Sequence, residues 1–317
     1  MTVTDKGGVT DSAKPTPLAQ ATPLSSPLPA LQSMTPSTTP STTPSTTPST
    51  TPSTTPSTTA LTTASVSVCR WTADATSTAQ DCLAEESPVA LCYNGVSHLV
   101  MMASPCDLED FALGFSLTEG IIQHPQELYG VEIHTRPDGI EVDLSISSRQ
   151  AQALQLKKRN LTGRTGCGLC GIDSLKSAIR PINSLMATTA IGDAAVQRAV
   201  SQLDQQQPLQ RITGAVHGAA WCNLEGEIQR LREDVGRHNA MDKLIGALIK
   251  TNTNLAQGFL LISSRASYEL VHKAAAVGIG NLVAVSAPTA LAIRLAKQAR
   301  VNVIGFARSG RHVRYTD

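Results

Sequence analysis

From Gly258 to Ala307 short apolar runs alternate with stretches of helical periodicity, and this alternation limits the possible folds more than any other feature. Gly258–Ser263, Leu282–Ser286 and Val301–Ala307 read as strands. Tyr268–Val277 and Pro288–Ala299 read as helices, the second with proline in its first turn. Strands joined by helices of this length make βαβ units, which call for a parallel sheet covered on both faces. The spacing therefore predicts an α/β, three-layer domain over 165–317. Ligands of such sheets sit outside the carboxyl ends of the strands. Here those ends are Ser263-Ser264-Arg265, Ser286-Ala287-Pro288-Thr289 and Phe306-Ala307-Arg308-Ser309-Gly310-Arg311.

Upstream, Pro88–Tyr93 and Val96–Met102 flank Asn94-Gly95, the pair that supplies both positive-φ residues of a type I′ hairpin turn. A helix should follow, with Ser104 as N-cap, Pro105 at its first position and Asp107 completing a capping box; Leu108, Phe111, Ala112 and Phe115 fall on one face. A second hairpin is expected from Val131–Thr135 and Ile140–Ile146. Together these form a small α+β domain over 85–160. Further on, Ala194–Leu203 reads as helix, Gly214–Cys222 and Glu227–Leu231 as paired strands, and Gly236–Ile249 as helix.

The first 62 residues differ. Pro-Ser-Thr-Thr repeats six times from Pro36 to Thr59, and Thr2 to Met34 is similarly poor in large apolar residues. Such a segment cannot bury enough surface to offset chain entropy, so a disordered tail is expected over 1–62. The net charge of +1 gives no whole-molecule field to draw nucleic acid or membrane, so an anion site must be local. No secretory signal and no apolar run of transmembrane length is visible. Seven scattered cysteines fit a reducing compartment, and the expected location is cytoplasmic.

Two of those thiols stand apart. Gly163-Arg164-Thr165-Gly166-Cys167-Gly168-Leu169-Cys170-Gly171 places Cys167 and Cys170 among glycines, which favour an open loop over helix or strand. A structural zinc site needs two more ligands, and no second Cys-x-x-Cys exists, so no structural metal is expected. A thioredoxin-like pair would follow an apolar strand, whereas Lys157-Lys158-Arg159-Asn160 precedes this loop. What remains is a reachable thiolate favoured by nearby cations, acting as a nucleophile or sulfur carrier.

His217 lies on an expected strand, but the residue two further on is Ala219, so the His-x-Glu of a zinc deaminase is missing. Glu233-Asp234-Val235-Gly236-Arg237-His238-Asn239-Ala240-Met241-Asp242-Lys243 is densely polar at a helix start. The default reading is a solvated face, although Arg237, His238 and Asn239 near free backbone N–H groups also suit an anion. Arg265, Arg308 and Arg311 add guanidinium forks matched to phosphate at one sheet edge. No Walker loop or dinucleotide fingerprint identifies the ligand as ATP or NAD.

The Cys167 loop, the run Glu233–Lys243, Asp110-Phe111-Ala112-Leu113-Gly114-Phe115 with Thr118-Glu119-Gly120, and Ser286-Ala287-Pro288-Thr289 together resemble the FdhD/NarQ family over about 87–317. The resemblance implies a sulfurtransferase needed for formate dehydrogenase activity. Its members take sulfur from a cysteine desulfurase as a persulfide and pass it to the molybdenum cofactor, bis(molybdopterin guanine dinucleotide), before insertion into formate dehydrogenase. It makes Cys167 the persulfide carrier with Cys170 assisting, and it makes Phe306–Arg311 a cofactor-binding segment. It also implies a cytidine-deaminase-like fold without zinc, and a homodimer. Ser263-Ser264-Arg265 departs from the Ser-Gly-Arg frequent in that family. Two rivals stay open: a cofactor-binding chaperone without sulfur chemistry, and a thiol–disulfide oxidoreductase.

Overall fold

The computed structural model describes residues 62–159, 182, 184–186 and 188–316. The loop with Cys167 and Cys170, residues 1–61 of the tail expected over 1–62, and a helix expected at 172–180 lie outside the described residues. The order of elements is a ribbon of β1 (Thr63–Trp71) and β2 (Thr76–Ala84), then β3 (Ser87–Tyr93), β4 (Val96–Ala103), α1 (Leu108–Thr118), β5 (Leu128–Arg136), β6 (Gly139–Ile146) and α2 (Ser148–Arg159). There follow α3 (Asp193–Gln206), α4 (Pro208–Thr213), β7 (His217–Cys222), β8 (Ile228–Asp234), α5 (Arg237–Lys250) and β9 (Phe259–Ile262). The chain ends with α6 (Tyr268–Ala276), β10 (Asn281–Ala284), α7 (Ala290–Ala299), β11 (Asn302–Arg308) and β12 (Arg311–Arg314).

The smaller lobe is a four-stranded sheet in the order β4-β3-β6-β5, made of two hairpins joined by parallel pairing of β3 with β6. Strand alternation sends Val89, Leu91, Val142 and Leu144 to one face, where Phe111, Ala112 and Phe115 of α1 cover them. The helix begins later than its capping signal suggests. Asp107 is the N-cap residue, in the left-handed region at φ 52°, and it makes no side-chain cap bond. Ser104 is instead drawn into a long-range pairing: its N–H donates to Asp234 Oδ2 at 3.0 Å and its hydroxyl accepts from Val235 N–H at 3.1 Å. Tertiary hydrogen bonds to a distant strand outweigh the local cap.

The larger lobe is a six-stranded sheet in the order β12-β11-β10-β9-β7-β8. The predicted parallel sheet is confined to its middle. β9, β10 and β11 are parallel, whereas β7 pairs antiparallel with both β8 and β9, and β12 pairs antiparallel with β11 because it returns beside it through a tight turn. All four residues of β9 and of β10 are buried, as strands covered on both faces must be. One face packs Trp221, Leu260, Leu282 and Val303 against α5, α6 and α7; the other packs Ala220, Leu261, Val283 and Ile304 against α3. This mixed α/β architecture is thus three layers deep.

Smaller differences have local causes. Gly214 ends α4 in the left-handed region, so the strand expected from 214 starts only at His217. Pro288 stands outside α7, whose cap is Thr289 accepting from Ala292 N–H at 3.2 Å. The β1–β2 ribbon, α4 and β12 carry too little apolar periodicity to be anticipated.

Two helices join the lobes. α1 crosses α5 with backbone against backbone: a Cβ on Gly114 would overlap the Asp242 carbonyl oxygen, and one on Gly246 would overlap that of Asp110. Glycine is required at both positions because the close approach leaves no room for a side chain.

Candidate functional site

Because β9, β10 and β11 are parallel neighbours, their carboxyl ends form one edge of the sheet, and Arg265 and Arg308 fall on it. Arg311 joins them by pairing with Arg308 across the β11–β12 turn. All three arginines are exposed and have no ion-pair partner among the described residues. The antiparallel β7 brings its first residue, His217, to the same edge, where Gly218 N–H donates to Ser263 Oγ at 3.0 Å. Asp234, opposite His217 at the end of β8, leads into Gly236 and the N-terminus of α5.

Phe306 marks the edge in another way. It sits at a register shift between β11 and β12 with φ 50°, an uncommon conformation for a bulky residue, and the residue is 39% exposed. Its N–H donates to the Ser286 carbonyl at 3.1 Å, which ties the bulge to the end of β10. Ala307 returns to the core against α3, while Ser309 and Gly310 form the exposed turn, Gly310 at φ 76°. Strain of this kind persists where the surroundings hold it, and here it turns an aromatic ring outward beside two arginines.

The polar run Glu233–Lys243 is not the solvated face that its composition suggests. Asp234 and Lys243 are fully buried and meet at 2.6 Å. Desolvating two charges is costly unless the remaining lone pairs and protons are satisfied, and here they are. Asp234 Oδ1 accepts from Gly236 N–H and Asn239 Nδ2 at 2.8 and 3.1 Å; Oδ2 takes Ser104 N–H, and Lys243 also donates to the Ser104 carbonyl at 2.9 Å. Asp242 forms a second buried node. It accepts from Lys273 at 2.8 Å and from Thr118 Oγ1 at 2.8 Å, and Lys273 also reaches Glu119 at 2.9 Å. Burial pushes the Asp242 carboxyl up to about 6; burial also works against the Lys273 ammonium, but Asp242 and Glu119 outweigh it and hold Lys273 above its ordinary range. Glu233 accepts the Leu209 and Gln210 N–H groups at the start of α4, at 2.9 and 2.8 Å. Five side chains of the run, Glu233, Asp234, Asn239, Asp242 and Lys243, thus fix α5 and α4 in place.

Arg237 and His238 are left at the mouth of α5. The helix has no acidic residue in its first turn, and the carboxylate just before it, Asp234, is committed to the N-cap Gly236 N–H and the Lys243 ammonium. Arg237 Nε and His238 Nε2 are buried without a hydrogen-bond partner among the described residues, and a Glu269 carboxylate oxygen lies 3.9 Å from His238 Nε2. Burial, then Arg237 and Lys273, push the His238 imidazole down to about 4. Burial and Arg237 likewise lower His217. Both rings are neutral at physiological pH and can offer one N–H each. Two ring and guanidinium nitrogens without a partner among the described residues, beside a helix N-terminus and three exposed arginines, make an edge suited to a phosphate-bearing ligand.

Beside this edge lies an open cavity of about 460 Å³ whose walls include Asp204 of α3, Gln207 between α3 and α4, Gln210 of α4, His217 of β7, and Ser263 and Val285 just past the ends of β9 and β10. Among the described residues no group of His, Cys, Asp or Glu is arranged to hold a metal ion, and the five described cysteines are free thiols. No helix among them is long and apolar enough to cross a membrane.

Residues that sequence reasoning missed serve the turn. His312, Gln197 and Asp193 join β12 to α3 by side-chain hydrogen bonds that span more than a hundred residues of chain, and no local pattern announces such bonds.

The model of the FdhD/NarQ family matches residues 84–317. The chain is 51% identical over 249 residues to the sulfur carrier protein FdhD of Cupriavidus necator, covering 78% of this chain and 86% of that protein. It is 51% identical over 233 residues to the sulfur carrier protein FdhD of Bordetella petrii, covering 74% and 84%. Among solved structures, a candidate formate dehydrogenase accessory protein from Desulfotalea psychrophila superposes with a TM-score of 0.64 at 22% identity, over 81% of this chain and 97% of that one. That likeness speaks for the fold.

Proposed function

The chain belongs to the FdhD/NarQ family, a family of sulfur carriers that serve formate dehydrogenase, and from that membership we propose that Cys167 carries sulfur as a persulfide to the molybdenum cofactor. The Cys167 thiolate attacks the terminal sulfur of a cysteine desulfurase persulfide. A bond forms between Cys167 Sγ and that sulfur, the old S–S bond breaks, and its electron pair leaves on the desulfurase thiolate. At the cofactor, the Cys170 thiolate attacks Cys167 Sγ. The terminal sulfur departs with the S–S electron pair as sulfide to molybdenum, and the two cysteines close into a disulfide that a cellular dithiol reopens.

Bis(molybdopterin guanine dinucleotide) is the substrate in this reading. Its pyrophosphates would meet Arg265, Arg308 and Arg311, with the neutral N–H donors of His217 and His238, Arg237 and the α5 N-terminus beside them. Phe306 would offer an apolar face, and the Ser309–Gly310 turn its backbone. The observation that carries the reading is the family match over residues 84–317, which takes in both the Cys167 loop and the arginine edge. We also propose a homodimer working in the cytoplasm with a cysteine desulfurase and formate dehydrogenase as partners, and a deaminase-like origin for the large lobe, consistent with Ala219 where a zinc deaminase has Glu.

A Cys167→Ala variant is expected to fold and bind GDP like the wild type, yet to leave formate dehydrogenase inactive in a strain lacking the native gene. Full formate dehydrogenase activity from that variant would reduce the protein to a cofactor chaperone.

A further inference from the structure

The turn that carries Arg308 and Arg311 is exposed, and β12 is only four residues long, so pairing with β11 alone would hold it weakly. A second restraint comes from α3. Gln197 Oε1 accepts from Gly310 N–H at 2.8 Å, and Gln197 Nε2 lies 3.0 Å from His312 Nδ1. His312 Nε2 lies 2.9 Å from Asp193 Oδ1, which also accepts from Arg314 Nε at 3.0 Å. Arg314 Nη2 donates to the Ile191 carbonyl at 2.8 Å.

The donors fix the sense of this chain of bonds. Gly310 N–H can only donate, so the amide oxygen of Gln197 faces it and the amide nitrogen faces the ring. His312 Nδ1 must then accept, which leaves the proton on Nε2 and directs it at Asp193. Arg314, then His312, hold the Asp193 carboxyl below its ordinary range, which keeps it an acceptor. One amide group thus links the turn to a ring that is itself anchored at the first turn of α3. About two helical turns beyond Gln197, Asp204 of the same helix lines the cavity, so α3 spans from the arginine turn to the cavity wall.

We propose that Gln197, buttressed by His312 and Asp193, is a positioning residue that holds the Arg308–Arg311 turn in its ligand-binding conformation. The proposal rests on the reading of that turn as a nucleotide-phosphate site. Nothing in Gln197, His312 or Asp193 touches the ligand in this scheme; they act by removing freedom that binding would otherwise have to remove.

The test uses the full chain, GDP as probe and a double-mutant cycle. Gln197→Leu loses both bonds of the amide and should weaken GDP about tenfold, a loss of one or two hydrogen bonds in net terms. Persulfide loading of Cys167 by a desulfurase should be unchanged, and hydrogen exchange at the Gly310 amide should become fast. In an Arg308→Lys background Gln197→Leu should cost much less than tenfold, because the two residues act through one turn. His312→Gln, which spares the Gln197–Gly310 bond, should give a smaller loss in the same direction, and it carries the test if Gln197→Leu does not fold. Wild-type affinity in Gln197→Leu, or full additivity with Arg308→Lys, would overturn the positioning role. If Arg308→Ala leaves GDP binding unchanged, it is the reading of the site that fails.

Discussion

His238 shows how far a side chain's surroundings can depart from its composition. In the sequence it sits between an arginine and an asparagine in a run of charges. In the fold it is neutral, pushed down to about 4 by burial, Arg237 and Lys273. The consequence for stability has a definite sign. An unfolded histidine takes up its proton near pH 6.5 and the folded one near 4, so folding is penalised as pH falls through that window, and the contribution is intact above 6.5. Replacing it by His238→Gln should remove this penalty. Urea titrations at pH 6.5 and pH 4 should show the wild type losing more stability than the variant, by about 2 kcal/mol. Equal losses would mean that the ring is solvated in the native state. Neither this residue nor the buried Asp234–Lys243 pair was legible in the sequence, for one reason. A charged run at a helix start is ordinarily a solvated face, and it becomes a core only when partners such as Ser104 arrive from 130 residues away.

At the scale of elements, periodicity was a good guide wherever apolar burial decides the structure. The hairpin at Asn94-Gly95 and the helices α3, α5 and α6 stand close to where their patterns place them, because each carries an apolar stripe that the core buries, although α5 is buried on its other faces too. It failed where a competing interaction decides, as at Ser104, and where an element is held by hydrogen bonds alone, as at β12. The crossing of α1 and α5 combines both kinds of information. Gly114 and Gly246 look like weak points within helices, yet each is where the partner's backbone passes. Gly114→Ala and Gly246→Ala would normally favour a helix by up to about 1 kcal/mol. Here we expect either change to destabilise the protein by roughly 3 kcal/mol or more, since backbone must shift to admit the methyl group. Chemical denaturation decides between the two signs, and a gain in stability would show that the helices can part without loss.

The whole molecule puts its phosphate-matched chemistry along one sheet edge. A net charge of +1 would not attract an anionic cofactor, but Arg265, Arg308 and Arg311 concentrate exposed guanidinium groups where parallel strands end, and Arg237 and His238 add nitrogens without a partner among the described residues. This edge could be anticipated, because βαβ alternation fixes where strand ends fall and arginine is recognisable at them. The neutrality of the two histidines, the strained Phe306 bulge and the Gln197 latch could not, since each depends on the packed neighbourhood. The central claim joins that edge to a thiol that receives sulfur. It is tested most directly by incubating the protein with a cysteine desulfurase and cysteine, then weighing the intact chain and its Cys167 peptide by mass spectrometry without reductant. The account predicts one added sulfur atom on Cys167, released by a dithiol and absent from Cys167→Ala. A chain that stays unmodified, or that forms only a Cys167–Cys170 disulfide, would contradict it.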